Sequence, residues 1–339
     1  MQNSFVQHTF NQSSLSAYYD AVKTIDKTKI PFLIGGNYAF SHYTGIVRQT
    51  KDFDIFVRPQ DCQNVLQALS DAGYETEITF PHWLGKAFHG DYFIDIIFGS
   101  GNGITFVDDE WFENASLGEF MDIPIKMCPP EELIWMKSFV MERECYHGAD
   151  VIHLLHACTR ELDWSRLLSH FGLHWRILLS YLVLFGFVYP CERSQLPTAI
   201  MNELLSRMQA ELTSFPSFER ICQGTLLSRE QYLVDIECWH YQDARLQPEG
   251  LMSIEDVSRW TNVIRREASN KILDDIEEIS YEFEKKLRKA DIDLIETEHG
   301  RIFQNALRKA RRKARDRDLL AHEINKLRVM LNTLDQYLV

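Results

Sequence analysis

Residues 32–57 read FLIGGNYAFSHYTGIVRQTKDFDIFV, and this stretch decides the fold. An apolar run closes on Gly35-Gly36. Sixteen residues after the pair, Asp52-Phe53-Asp54 leads into Ile55-Phe56-Val57. Side chains alternate along a strand, so Asp52 and Asp54 share one face, about 6–7 Å apart. Like charges held that close either protonate or draw in a cation. A hard divalent ion such as Mg²⁺ takes oxygen ligands and leaves room for phosphates. The competing reading is a pair of acids facing water at a sheet edge.

Working outward, Leu15, Tyr18, Ala21 and Ile25 recur at helical spacing over 15–28. IPFLIGG then reads as a strand, NYAFSHYTG as a helix stopping near Gly45, and DFDIFV as a strand. PQDCQNVLQALSDAGY reads as a helix with Val65, Leu66 and Leu69 inward, and DYFIDIIFGSGNG as another strand. This order predicts an α/β N-terminal lobe with a small mixed sheet. The last strand supplies a third acid, Asp95, flanked by Ile94 and Ile96. Three carboxylates on neighbouring strands can hold two metals, which activate an attacking oxygen and stabilise a leaving one. The glycine pair falls between strand and helix, where free N–H groups and the helix dipole favour an anion and a missing side chain lets it approach.

After Pro129-Pro130 the pattern turns helical, to about Arg266. Beyond it, Ile272, Ile276, Ile279, Phe283 and Leu287, and later Ile324, Leu327, Leu331, Leu334 and Leu338, form coiled-coil-like seams. The expected architecture is therefore an α/β lobe over 1–130, an all-α lobe over 131–266, and a C-terminal two-helix coiled-coil-like arm over 267–339, turning near His299-Gly300. The length of 339 residues suits two or three domains.

A net charge of −13 makes the whole molecule unsuited to a polyanion, so nucleic-acid contact requires a local basic patch. Seven scattered cysteines with no CxxC spacing indicate reduced thiols in a cytoplasmic protein and argue against a zinc knuckle. No signal peptide is evident at the N-terminus. WRILLSYLVLFGFVYP, from Trp175 to Pro190, falls short of the roughly 20 residues a span needs and reads as a buried helix, not a membrane segment.

Gly35-Gly36, then Arg48-x-Thr50-x-Asp52-x-Asp54, then Asp95 resembles the DNA polymerase β-type nucleotidyltransferase superfamily. The GG…RxTxDxD form is similar to a bacterial nucleotidyltransferase-like branch whose relatives include abortive-infection toxins. WMKSFVMERECYHGADVIHLL resembles the family's post-catalytic helix pair, and the likeness extends over roughly residues 30–265. The resemblance implies Mg²⁺- or Mn²⁺-dependent transfer of a nucleoside monophosphate from a nucleoside triphosphate. Asp52, Asp54 and Asp95 would be catalytic and metal-binding. Gly35 and Gly36 would hold the triphosphate, Lys137 would reach phosphate oxygens, and Arg48, Thr50 and Asp150 would support the nucleotide. Acceptors in the superfamily are tRNA or other RNA, proteins and small molecules, and some relatives act in toxin–antitoxin or phage-defence pairs. Where toxin-like members carry an arginine–aspartate pair, this chain has His147 and Asp150. The alternative is a nucleotide-binding, non-catalytic scaffold assembled through the C-terminal arm.

Other constellations carry less chemistry. His147, His153 and His156 cluster with Asp150, a candidate zinc site or a packed helix face. Trp135, Trp164, Trp175, Trp239 and Trp260 read as core, with one of them available to stack on a base. Ser138 and Ser180 lack nucleophile context. Arg308–Arg317 carries seven basic residues in ten. It suits either RNA phosphates or the acidic stretch Asp274–Glu284, in a hairpin or a second chain. Residues 268–339 are accordingly a candidate surface for a partner protein or homo-oligomer.

Overall fold

A computed structural model describes residues 12–48, 50, 52–90, 92–143, 145–215, 218–248 and 250–261. Nearer the C-terminus it describes 276, 278–283, 285–286, 298–315 and 327–331. The chain divides into two compact units, residues 1–260 and 261–339.

The first unit is built on seven strands: β1 (Leu33–Ile34), β2 (Asp52–Phe56), β3 (Glu75–Phe80), β4 (Leu84–His89), β5 (Tyr92–Ile97), β6 (Ser116–Phe120) and β7 (Ile123–Met127). They form one mixed sheet in the order β3-β4-β5-β2-β1-β7-β6. β2 runs parallel to β5 and β1 parallel to β7, while the remaining neighbours are antiparallel. The expected mixed sheet is present but wider than the sequence pattern implied. The β3–β4 and β6–β7 hairpins extend it on both sides, and β3 (ETEITF) is mostly solvent-facing, so it lacks an apolar run to betray it.

Helix α1 (Gln12–Thr28) lies against one face of this sheet, with Tyr18, Ala21, Val22 and Ile25 wholly buried. Tyr18 stacks on Phe53 at 5.0 Å, and Phe53 meets Phe120 at 5.0 Å. Phe53 therefore points to the α1 side, and strand alternation sends Asp52 and Asp54 to the other face. α2 (Gly36–Thr44) follows the glycine pair and ends on Gly45, whose φ of 70° supplies the left-handed turn. α3 (Cys62–Asp71) buries Val65, Leu66 and Leu69 as its periodicity predicts. A short α4 (Asp109–Glu113) is capped by the Asp108 side chain accepting from Glu110 N–H.

The helices that follow are α5 (Pro130–Ser138), α6 (Gly148–Cys158), α7 (Trp164–Phe171), α8 (Trp175–Val188), α9 (Thr198–Leu212) and α10 (Leu233–Glu237). A short parallel pair, β8 (Ile221–Cys222) with β9 (Gln242–Asp243), interrupts the expected all-helical run. α5 opens with Glu131 and Glu132, both buried. Arg166 on α7 pairs with each of them, and His170 stands 3.1 Å from Glu132. A buried pair of acids so compensated locks α5 to α7. One stretch, Trp164–Val188, is long and apolar enough to cross a membrane by composition, but a turn at Gly172–His174 divides it. α8 is half-buried rather than buried: Leu178, Tyr181, Leu182 and Phe185 face inward, while Val183 and Phe187 are exposed.

In the second unit the described residues are helical, including α11 (Glu298–Arg315). Ile276, Ile279, Phe283, Phe303, Leu307, Ala310, Leu327 and Leu331 form one core, with the Phe283 and Phe303 rings 4.6 Å apart. His299 and Gly300, expected near a turn, lie in the first turn of α11. Among the described residues, the acidic stretch pairs Glu282 with the nearby Lys285 at 3.6 Å and Glu278 with the distant Arg328 at 3.1 Å. Arg308 and Lys309 are exposed, and most of the remaining basic run lies outside the described side chains.

Candidate active site

The glycine pair and the first acids meet at one point. β1 pairs with β2 so that Ile34 faces Ile55, and the next rung joins Gly35 N–H to Asp54 C=O at 3.0 Å. The chain then turns at Gly36 with φ +53° and enters α2. A Cβ on Gly36 would stand 1.5 Å from Asp54 Oδ2, and one on Gly35 would stand 1.8 Å from the Phe56 ring. Both positions exclude a side chain, and Gly36 also needs its backbone angle. The Gly35 N–H is engaged in the sheet, so the anion-facing groups are the N–H groups of the first turn of α2, beginning at Gly36. Such groups have no intrahelical acceptor, and Gly35 offers no capping side chain.

The parallel register of β2 and β5 sets Asp54 directly beside Asp95, and Asp52 beside Phe93. Neighbouring strands are about 4.8 Å apart, so the Asp54 and Asp95 carboxyls share one face at short range. Burial, with Asp95 and then Asp52 nearby, pushes the Asp54 carboxyl up to about 7. Burial also raises Asp95, partly offset by Lys86, whose Nζ stands 2.6 Å from its Oδ1. Asp52 opens the strand and is exposed, with its N–H held by the Thr50 hydroxyl at 3.1 Å. Thr50 thus fixes the entry of β2. Among the described residues, no three His, Cys, Asp or Glu side chains converge as a ready-made metal cage. Asp95 is committed to Lys86 and Asp52 stands toward solvent. The donor chemistry nevertheless suits a hard cation: carboxylate oxygens on one face, with burial, and then the neighbouring carboxylates, raising the Asp54 carboxyl.

Lys86 was not read from the sequence. Its signal lies in the β4–β5 hairpin. His89 pairs with Tyr92 past Gly90 (φ +59°), and counting back along that register sets Lys86 opposite Asp95.

A second cluster ties the helices to the sheet. α2 packs on α6, and Asp150 in the first turn of α6 receives Lys137 Nζ at 2.9 Å and also Arg48 Nη1. Burial raises the Asp150 carboxyl, but Lys137 and Arg48 outweigh this and hold it below the ordinary range. Arg48 also lies over the Phe40 ring at 4.8 Å. Arg48, Lys137 and Asp150 therefore form one bridge, with Asp150 buried and Arg48 partly exposed. Beside it, burial and then the Lys137 charge depress His147 to about 4.

Gly36, Asp54 and Lys137 line a single cleft of about 340 Å³, which also contacts Trp83, Glu142, Arg229 and Trp260. Of the other predicted site residues, Gly35, Arg48, Thr50, Asp52, Asp95 and Asp150 do not line this cleft. The histidine cluster disperses: His147 Nε2 contacts Cys145 Sγ at 3.1 Å, His156 pairs with Glu192 at 2.9 Å, and the His153 ring faces Phe40. Trp135 and Trp175 pack internally as expected, whereas Trp239 is exposed and Trp260 borders the cleft. Ser138 and Ser180 donate to carbonyls of their own helices.

No protein-family model and no curated protein matches this chain. Solved structures similar to it include the antibiotic-resistance factor ANT(2'')-Ia in solution, at 14% identity and a TM-score of 0.33. That match covers 60% of this chain and 96% of that one. The lincosamide antibiotic adenylyltransferase LnuA, lincomycin-bound, is similar at 19% identity and a TM-score of 0.31, over 43% of this chain and 97% of that one. ANT(2'')-Ia in complex with adenylyl-2''-tobramycin gives 14% identity and a TM-score of 0.32, over 58% and 99% of the two chains.

Proposed function

We propose that the chain is a nucleotidyltransferase, moving a nucleoside monophosphate from a nucleoside triphosphate to an acceptor hydroxyl. One observation carries this reading. The Gly36 backbone, at the free N-terminus of α2, packs directly against Asp54, which stands in register with Asp95. A phosphate-binding helix end and a crowded carboxylate pair thus occupy one point, as phosphoryl chemistry with a divalent ion requires.

Asp52 and Asp54 would hold Mg²⁺ or Mn²⁺, with Asp95 as third carboxylate. When bound, the ion supplies charge neutralisation at the α-phosphate and the departing pyrophosphate. The first-turn N–H groups of α2 orient the triphosphate. Asp95 takes the acceptor's proton while the acceptor oxygen bonds to the α-phosphorus and the bond to the bridging oxygen breaks, releasing pyrophosphate. Lys86 holds the Asp95 carboxyl in place. The Arg48–Asp150–Lys137 bridge fixes α2 against α5 and α6, and Lys137 sets positive charge at the cleft wall. A toxin–antitoxin or phage-defence setting is supported only by the GG…RxTxDxD resemblance.

A second reading, a nucleotide-binding scaffold without turnover, is favoured by one feature: Lys86 and Lys137 are each already paired with an aspartate. Incubating the chain in lysate with each α-labelled triphosphate and Mg²⁺, then separating RNA, protein and small molecules, tests the choice. Transfer predicts label in one fraction and its loss in Asp54→Ala. Triphosphate binding with no label in any fraction would establish the scaffold instead.

A further inference from the structure

We propose that the cleft beside Asp54 is the acceptor pocket, and that it takes a small, uncharged, largely apolar molecule carrying a flat ring and a hydroxyl. The proposal rests on the transfer reading above and names its second substrate.

The cleft is lined by Gly36 and Asp54, where the α-phosphate would sit, and by Trp83 and Trp260. Its volume of about 340 Å³ lies at the low end for small-molecule pockets and is too small for a folded RNA or protein element. Phe56, Ile97, Leu133, Met136, Phe139 and Val140 supply apolar walls. In the wall, Trp83 and Trp260 meet edge-on, with ring centroids 5.2 Å apart. Arg229 covers the Trp260 face at 4.3 Å. Phe80 also meets Trp260 edge-on at 4.7 Å, and this aromatic group forms an apolar wall suited to a flat ring.

Charge narrows the class further. Lys137 is bound by Asp150. Glu142 accepts from Ser228 Oγ at 2.7 Å and from Arg229 N–H at 3.1 Å, and Arg229 Nε stands 3.3 Å from it. His147 is neutral at physiological pH. Apart from Asp54 at the reaction end, the charges along the described walls are therefore met within the protein. Beyond Asp54 and the first turn of α2, where the triphosphate would sit, a polycation or a further phosphate group would find no unpaired counter-charge among the described wall side chains. Ser100 donates to Asn102, and Asn102 donates to the Leu226 carbonyl, so these polar side chains are engaged. The buried Trp83 Nε1 and His147 Nδ1, by contrast, have no partner among the described residues and leave the wall able to meet one or two polar atoms, such as a hydroxyl.

Calorimetry on the full chain tests this with 2-naphthol, spermidine, adenosine and Mg²⁺-ATP as probes. Leu227→Asp and Met136→Glu place a charge at two half-buried wall positions on separate elements. Circular dichroism and retained Mg²⁺-ATP binding identify the folded variants. The expected result is saturable 2-naphthol binding, unchanged by bound Mg²⁺-ATP and weakened about tenfold or more in both variants. Mg²⁺-ATP affinity should stay within about twofold, and spermidine and adenosine should give no saturable heat. No 2-naphthol binding, or binding indifferent to both variants, would overturn the proposal. So would spermidine binding that the variants alter, or adenosine displacing 2-naphthol, which would make the cleft a base pocket. Absence of binding by the wild type of every Mg²⁺-triphosphate (ATP, GTP, CTP and UTP) would instead defeat the transfer reading, and the 2-naphthol data would still report on the cleft.

Discussion

Replacing Gly36 with alanine perturbs two things at once, and the structure separates them. The residue sits at φ +53°, and its Cβ would stand 1.5 Å from Asp54 Oδ2. Left-handed backbone costs a residue with a side chain about 1–2 kcal/mol. The collision adds a displacement: reaching even a tight 3.0 Å contact requires the carboxylate oxygen to retreat by 1.5 Å. A misplacement of that size in a reacting constellation lowers rate by about 100-fold. Gly45 provides the control, because its φ is +70° and nothing lies within 4 Å of its Cβ position. Both variants should lose about 1–2 kcal/mol in urea unfolding, with Gly36→Ala the worse. Pyrophosphate release, by contrast, should fall about 100-fold in Gly36→Ala and stay within about twofold in Gly45→Ala. Equal activities in the two variants would refute the claim that Gly36 serves the carboxylate site.

Three further outcomes follow from the charges. The Asp54 carboxyl is raised to about 7, so the folded state keeps a proton that the unfolded chain releases above about 4. Its contribution therefore falls as pH rises from 4 to 7. Asp54→Asn should gain stability on the order of 2 kcal/mol over wild type at pH 8, with the gain vanishing near pH 4 in pH-dependent denaturation. Lys86→Met leaves Asp95 beside Asp54 with its partner gone and should cost about 1–3 kcal/mol at pH 7. That loss should shrink at pH 5, where Asp95 protonates more readily, and a pH-independent loss would assign it to packing. Asp150→Ala strands Arg48 and Lys137 and should cost about 3 kcal/mol at pH 7. The Asp150 carboxyl is held low, so this difference should persist down to pH 4 and close only below it. A difference that closes between pH 5 and 7 would contradict the bridge.

What the sequence made legible was local. The alternation of DFDIFV fixed the face of Asp52 and Asp54, the spacing of Tyr18, Ala21 and Ile25 fixed the buried side of α1, and Gly45 marked the end of α2. Relations set by pairing between strands stayed hidden. Lys86 reaches Asp95 only through the β4–β5 register, and the mostly solvent-facing residues of β3 give no apolar run. The pairing of Lys137 with Asp150 was likewise hidden, since α5 and α6 meet through tertiary packing that no periodicity encodes. α8 misled in the opposite sense. Its nearly continuous apolar run suggested burial all round, yet Phe187 is 80% exposed, because a uniformly apolar helix does not declare its face.

The most direct measurement is pyrophosphate release with each triphosphate, Mg²⁺ and lysate acceptors, comparing wild type with the double variant Asp52→Ala/Asp54→Ala. The account predicts release by the wild type with one preferred triphosphate, and none by a double variant whose circular dichroism is unchanged. Full release by that double variant would place the chemistry elsewhere and contradict the central claim.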